Sequence, residues 1–194
     1  MERTQGSARF ETSDAVAGRG DDSRITTVEV ELVTETHHVV GQLRTGELRL
    51  SDILNLESED SLLLSDVKAT PLGGTVATPL TKDLAYINKD GIVFGIPREP
   101  SSTPEERQQL RPFPYTEGSR HQVVMVLPRF TITGYIHLVR TSNIRTALRC
   151  LDRTFVPFSE ATVAYVARPG VGWRAPVIIV NRRRGQILWS AENP

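Results

Sequence analysis

The same succession of short motifs occurs twice in this chain, first within Glu35–Pro97 and again within Arg129–Ala191. His38-Val39-Val40-Gly41-Gln42-Leu43 corresponds to Thr131-Ile132-Thr133-Gly134-Tyr135-Ile136. Leu50-Ser51-Asp52-Ile53-Leu54 corresponds to Ile144-Arg145-Thr146-Ala147-Leu148, and Leu64-Ser65-Asp66 to Phe158-Ser159-Glu160. Ala85-Tyr86-Ile87-Asn88 falls on Ile178-Ile179-Val180-Asn181, and Gly91-Ile92-Val93-Phe94 on Gly185-Gln186-Ile187-Leu188. Identities are few, but four blocks in one order point to a duplicated unit. Duplication limits what the chain can build. Its 194 residues divide into two units of about 70 residues, each with a modest core that needs a neighbour to pack on.

Alternation of apolar and polar residues predicts strands in both copies. Thr26–Val33 places Val28, Val30 and Leu32 on one face and Glu29 and Glu31 on the other. His38–Leu43 returns beside it, and Ser61–Thr70 is a third strand. Ser51 caps a short helix through its hydroxyl. Leu84–Ile87 and Ile92–Ile96 flank Asn88-Lys89-Asp90-Gly91, which reads as a hairpin turn. The second copy follows the same plan: strands at Val123–Leu127 and Phe130–Val139, and a helix Ile144–Leu151 capped by Asn143. A long strand Phe155–Val166 follows, with a bulge expected near Pro157, and then a last hairpin of Val177–Val180 and Gln186–Trp189. Gly41 and Gly134, at matching places inside a strand, suit a sharp bend or a close backbone approach. Residues 1–25 are polar and poor in large apolar groups and read as a flexible tail. Residues 98–120 lie in a proline-rich stretch that reads as a semi-rigid linker. The expected organisation is therefore a tail, a first unit at 26–97, the linker, and a second unit at 121–191.

Five short strands and one helix per unit make a mainly β fold of two tandem small β-barrels, since closure hides the edges of a sheet this small. The architecture resembles the broad class of Sm-like and SH3-like barrels, although here the helix follows the second strand. Leu50-Ser51-Asp52-Ile53-Leu54-Asn55 and the Asn-Lys-Asp turn are also similar to segments of uncharacterised bacterial proteins. That resemblance implies a fold and no known activity.

The net charge of zero conceals a division. Residues 1–119 hold 12 basic and 20 acidic side chains (12 − 20 = −8), and residues 120–194 hold 11 and 3 (11 − 3 = +8). All the bases of the second part are arginines, which bind carboxylates and phosphates through a planar fork. Such a division suits a polyanion bound to the basic copy, contact between acidic and basic copies, or solvated faces that differ only in composition. The single cysteine, Cys150, allows no intrachain disulfide and fits a small buried apolar group in a reducing, cytoplasmic setting. No apolar run approaches the length of about 20 residues needed to cross a membrane.

No recognisable catalytic constellation is present. The chain lacks a P-loop, a Gly-x-Ser-x-Gly elbow, a His-Glu-x-x-His motif and a cysteine pair for zinc. His37 and His38 face opposite sides of a strand and cannot chelate together. The recurring Ser65-Asp66/Ser159-Glu160 and Asn88/Asn181 read as turn and backbone-capping residues. Arg145-x-x-x-Arg149 resembles the opening of the cyclic-dinucleotide motif of PilZ barrels, but the downstream half of that motif is missing. Arg182-Arg183-Arg184 is the densest cationic feature, placed by this reading at the tip of the last hairpin. With Arg145 and Arg149 it forms the candidate contact set for a polyanion or a partner. The expectation is a non-enzymatic assembly or adaptor protein that needs no cofactor or metal. It would bind a protein partner or its own copies, with RNA, DNA or another polyanion as the alternative ligand.

Overall fold

The computed structural model describes residues 26–73, 78–98, 118–139 and 153–190. The tail, most of the linker, and the expected helix with Arg145, Arg149 and Cys150 lie outside these residues. The first half contains β1 (Thr27–Thr34), β2 (His37–Arg44), α1 (Leu50–Leu54), β3 (Ser61–Pro71), β4 (Leu80–Asn88) and β5 (Ile92–Arg98). The second contains β6 (Gly118–Leu127), β7 (Phe130–Val139), β8 (Phe155–Tyr165), β9 (Gly172–Asn181) and β10 (Ile187–Ser190). Strand β6 thus takes in 118–120, assigned to the linker by composition. Among the described residues no helix is long and apolar enough to cross a membrane.

All ten strands join one antiparallel sheet in the order β10-β6-β7-β8-β9-β5-β1-β2-β3-β4. Among the described strands the sheet is open at β4 and β10, so the hydrogen-bonded ladder does not close into two separate barrels. Within it the two halves have the same strand order. In each, the first four strands form a meander and the fifth returns to pair with the first. The halves meet where β5 pairs with β9.

The two halves also bend alike. Gly41 and Gly134 each stand opposite a register shift in the next strand. There Asp66 and Glu160 adopt positive φ, 52° and 48°. A Cβ on Gly41 would lie 3.1 Å from the Ser65 carbonyl oxygen, and one on Gly134 would lie 3.1 Å from that of Ser159. Glycine therefore lets the strands approach closely where the extra bulge residue sharpens the twist. Ser65-Asp66 and Ser159-Glu160 are thus bulge residues inside strands, not turn residues. The bulge of β8 sits at Glu160 and not near Pro157.

Two further expectations fail for local reasons. Helix α1 begins at Leu50 with Arg49 as its N-cap and no side-chain cap, so Ser51 lies inside the first turn. It is held instead by its apolar face, since Leu50, Ile53 and Leu54 are buried. The segments read as hairpins are not hairpins, because β4 pairs with β3 while β5 pairs with β1 and β9. The Asn88 side chain accepts the Asp90 N–H at 2.8 Å and starts a 3-10 turn, Lys89–Gly91. Asn181 does the same for Arg183 at 3.1 Å. These turns carry the chain across the sheet to the first strand of each half. Neither Asp90 nor Gly91 adopts the positive φ that a tight two-residue hairpin requires.

The core has two clusters. One belongs mainly to the first half, built on Val30, Leu32, Leu43, Leu62 and Leu64, but it also takes in Phe155 and Ile179. The other belongs mainly to the second half and takes in Val33, Val93, Phe94 and Ile96. Strands β1 and β5 are therefore buried on both faces. The predicted solvent face of β1 is wrong at Glu31, which is 4% exposed. Phe94 meets both Phe130 and Trp173 edge to face, with ring centroids 5.4 Å apart in each pair.

Candidate interaction site: the junction and the two free edges

The three consecutive arginines form a 3-10 turn, Arg182–Arg184, between β9 and β10. Their roles divide there. Arg184 reaches the first half: its Nε donates to the Asp90 carbonyl at 2.9 Å, and Nη1 pairs with Glu35 Oε1 at 2.9 Å. Arg182 is half-buried and Arg183 exposed, and neither side chain forms an ion pair among the described residues. Arg145 and Arg149 lie outside those residues. Of the predicted contact set, Arg182 and Arg183 make no ion pair among the described residues, while Arg184 bridges the two halves.

The junction around Arg184 is built from strand pairing and two asparagines. Phe94 lies opposite Val180, and Gly95 opposite Ile179. Asn181, 1% exposed, donates from Nδ2 to the Ile92 carbonyl at 2.9 Å. Asn55 holds both polar groups of the Phe155 backbone: Nδ2 donates to the carbonyl at 2.8 Å, and Oδ1 accepts the N–H at 2.9 Å. Buried polar groups are kept only where hydrogen bonds compensate their desolvation. Asn55 thus gives the end of the Leu-Ser-Asp-Ile-Leu-Asn segment a definite role that sequence reasoning missed. The available signal was an amide directly after the apolar stripe of α1.

A second group missed in sequence is Glu31. Its carboxylate meets His38 Nε2 at 2.8 Å and also pairs with Arg98. The His38 hydrogen bond, aided by Arg98, holds the Glu31 carboxyl below its usual range against the opposing effect of burial. His38 is therefore a structural partner and not a free strand histidine. Lys89, buried, donates its ammonium to the Ile53 and Leu56 carbonyls at 2.8 and 3.0 Å. Burial lowers its pKa, while Glu59 and Asp60 act in the opposite direction.

Among the described strands, β4 pairs only with β3, and β10 only with β6. Both carry large apolar side chains in solvent: Leu80, Leu84 and Tyr86 on β4, Ile187 and Trp189 on β10. An unpaired edge of this kind is a template for another strand. Beside β10 lies a groove of about 300 Å³ lined by Met125, Ile136, Val156, Phe158 and Leu188. A wider groove of about 620 Å³ between α1 and β8 is lined by Asp52, Glu57, Glu59, Asp60, Lys89 and Arg153 among others. Among the described residues no group of three or more His, Cys, Asp or Glu side chains is placed to hold a metal. Comparison with protein-family models, curated proteins and solved structures finds no match to this chain.

Proposed function

We propose that the chain is a non-enzymatic assembly protein of two duplicated small β-barrel units, whose sheet edges bind protein. One observation carries this reading. Among the described strands, both end strands have a neighbour on one side only, and they display aliphatic and aromatic side chains in solvent. Such edges in a lone molecule promote association, and proteins that stay monomeric usually blunt them with charge, proline or cover. The duplication is supported by the equal strand order, the matching bulges and the matching asparagine-capped turns. On this reading the halves belong with Sm-like and SH3-like barrels, their two ladders merged at β5–β9.

Size-exclusion chromatography with light scattering, at low and high salt, tests the proposal. The expected result is a protein-only species heavier than one chain. A monomer at every concentration, with no partner retained on the immobilised protein, overturns it.

A second reading, polyanion binding, rests on Arg182 and Arg183, which are unpaired among the described residues and lie beside the 300 Å³ groove. It predicts a high nucleic-acid absorbance ratio in the purified protein that falls steeply with salt. Arg182→Glu with Arg183→Glu then abolishes binding, and unchanged binding rejects this reading.

A further inference from the structure

The chain contains one completed junction and the two separate parts of another. In the completed one, the fifth strand of the first half, β5, lies on the fourth strand of the second, β9. Among the described strands, those with a neighbour on one side only are the fourth of the first half, β4, and the fifth of the second, β10. We propose that β10 of one chain docks antiparallel on β4 of a second copy, head to tail, repeating the β5–β9 junction between chains. This rests on the assembly reading above and names its partner.

The strand pairing supplies the register. Val30 lies opposite Gly41 and Val123 opposite Gly134, so Val33 corresponds to Val126. Phe94 lies opposite Val33, and Ile187 opposite Val126. Phe94 therefore matches Ile187 and Gly95 matches Leu188, one residue away from the correspondence read in the sequence. Asn88 and Asn181 open equivalent turns, so Ile87 matches Val180 and Tyr86 matches Ile179. Transferring the pairs Phe94–Val180 and Gly95–Ile179 to the free edges sets Ile187 opposite Ile87, and Leu188 opposite Tyr86, of the next chain.

Three independent features fit that register. The first is a knob and a hole. Ile179 is 2% exposed because it enters the first core cluster with Phe155, whereas its counterpart Tyr86 is 75% exposed. That cluster contains Leu32, Leu43, Leu62 and Leu64. Their counterparts Met125, Ile136, Val156 and Phe158 line the 300 Å³ groove beside β10. In the proposed register Tyr86 of the next chain faces this groove. Its ring offers a larger knob than Ile179. On β3, Ser61 stands where Phe155 stands on β8, since each opposes the asparagine of its half.

The second feature is an amide. Asn181 binds the Ile92 carbonyl across the completed junction. Its counterpart Asn88 is exposed, and the counterpart of Ile92 is Gly185, so the Asn88 amide reaches the Gly185 carbonyl of the neighbouring chain. The third is charge. Residues 26–98 carry 6 basic and 11 acidic side chains (6 − 11 = −5), and the described residues of 118–190 carry 8 and 1 (8 − 1 = +7). Head-to-tail docking sets the acidic half of one chain on the basic half of the next. Pairing β4 with β4, or β10 with β10, sets like charge on like. Because the contact joins two different surfaces, a pair of chains leaves one edge of each kind free, and assembly continues to a ring or a filament.

Two blocked variants test this by light scattering. Leu84→Lys with Tyr86→Lys closes β4, and Ile187→Lys with Trp189→Lys closes β10, all at exposed sites that spare the fold. The expected result is a wild type larger than a dimer, a monomer for each variant alone, and a one-to-one dimer when the variants are mixed. Self-association of either variant alone, or wild-type mass in both, overturns the head-to-tail contact while leaving the assembly reading intact. A monomeric wild type overturns the head-to-tail contact, and one that also retains no partner when immobilised overturns the assembly reading as well. A second measurement makes smaller changes: Ile87→Cys and Ile187→Cys are placed on separate chains in a Cys150→Ser background and oxidised. A disulfide-linked dimer that forms in the mixture, and in neither protein alone, supports the register; its absence rejects it.

Discussion

Strands β5 and β10 occupy the same place in the two halves, yet their surroundings are opposite. Each returns to pair with the first strand of its half after an asparagine-capped 3-10 turn. Phe94 on β5 is fully buried, while Ile187, its counterpart on β10, is 55% exposed. Strand β5 has a second neighbour, β9, and β10 has none among the described strands. The difference is therefore one of context and not of the local fold. An edge that both halves share is covered by a second strand at β5 and, among the described strands, has no second strand at β10. Residue changes on the covered copy should act on folding, and the same changes on the open copy should act on association.

The largest effect follows from the most buried member of the pair. Phe94→Ala leaves a cavity against Phe130 and Trp173 and should cost about 3–5 kcal/mol of unfolding free energy. Ile187→Ala, at the matching place, should change it by about 0.5 kcal/mol or less in the dilute monomer. Urea denaturation followed by tryptophan fluorescence measures both. Equal effects would show that β10 is as covered in solution as β5, which breaks the comparison.

The asparagines give a second contrast of intermediate size. Asn55→Ala strands the N–H and the carbonyl of Phe155, and Asn181→Ala strands the Ile92 carbonyl. Each should cost roughly 1–3 kcal/mol, the desolvation penalty of an unsatisfied buried group. Asn88→Ala removes only the exposed counterpart and should alter unfolding far less than Asn181→Ala while weakening self-association. If Asn88→Ala destabilises the dilute monomer as strongly as Asn181→Ala, the two asparagines are equivalent within one chain, and the proposed contact to a neighbour loses that support.

These contrasts also mark where the sequence was readable. Alternation located the described strands, with Phe130–Val139 matching at both ends and others falling several residues short. Matching glycines indicated the two bends, because a strand interior tolerates glycine mainly where backbones crowd. Pairing was misread at Asn88-Lys89-Asp90-Gly91. Local turn chemistry there permits a hairpin, but β5 instead gains neighbours on both sides, β1 and β9. No local pattern encodes that long-range gain. Burial of Glu31 was invisible for the same reason: an alternating strand looks half-solvated until a second layer covers its polar face. Among the arginines, sequence identified the cluster but could not separate Arg184, held by Asp90 and Glu35, from Arg182 and Arg183. Such a distinction depends on a residue more than ninety positions away.

Glu31 has a pH signature that belongs to the first half alone, because Val124 takes its place in β6. Its carboxyl is held below the ordinary value of 4.5, chiefly by the His38 hydrogen bond. A depressed carboxyl pKa contributes stability that is present above the unfolded value and is lost as pH falls through the folded one. Wild-type stability should therefore decline below about pH 4.5. Glu31→Gln should be less stable at neutral pH by roughly 1–2 kcal/mol, discounted because the Arg98 side chain is largely exposed. It should also show a shallower acid decline. An unchanged acid slope in Glu31→Gln would assign the loss to other carboxylates.

The smallest expected effect separates two adjacent arginines. Arg184 crosses between the halves, but its ion pair with Glu35 is partly exposed, and such pairs contribute about 0–1 kcal/mol. Arg184→Ala also removes the exposed donation to the Asp90 carbonyl and should lower unfolding free energy by about 1 kcal/mol in all, with only the ion-pair part removed by high salt. Arg183→Ala should leave stability unchanged, since its side chain is exposed and carries no ion pair among the described residues. The informative quantity is the difference between the variants at low and high salt. A salt-dependent loss confined to Arg184 places that guanidinium in the covered junction. The same loss in Arg183 would mean that the exposed arginine also supports the fold, leaving only Arg182 of the turn for a partner or a polyanion.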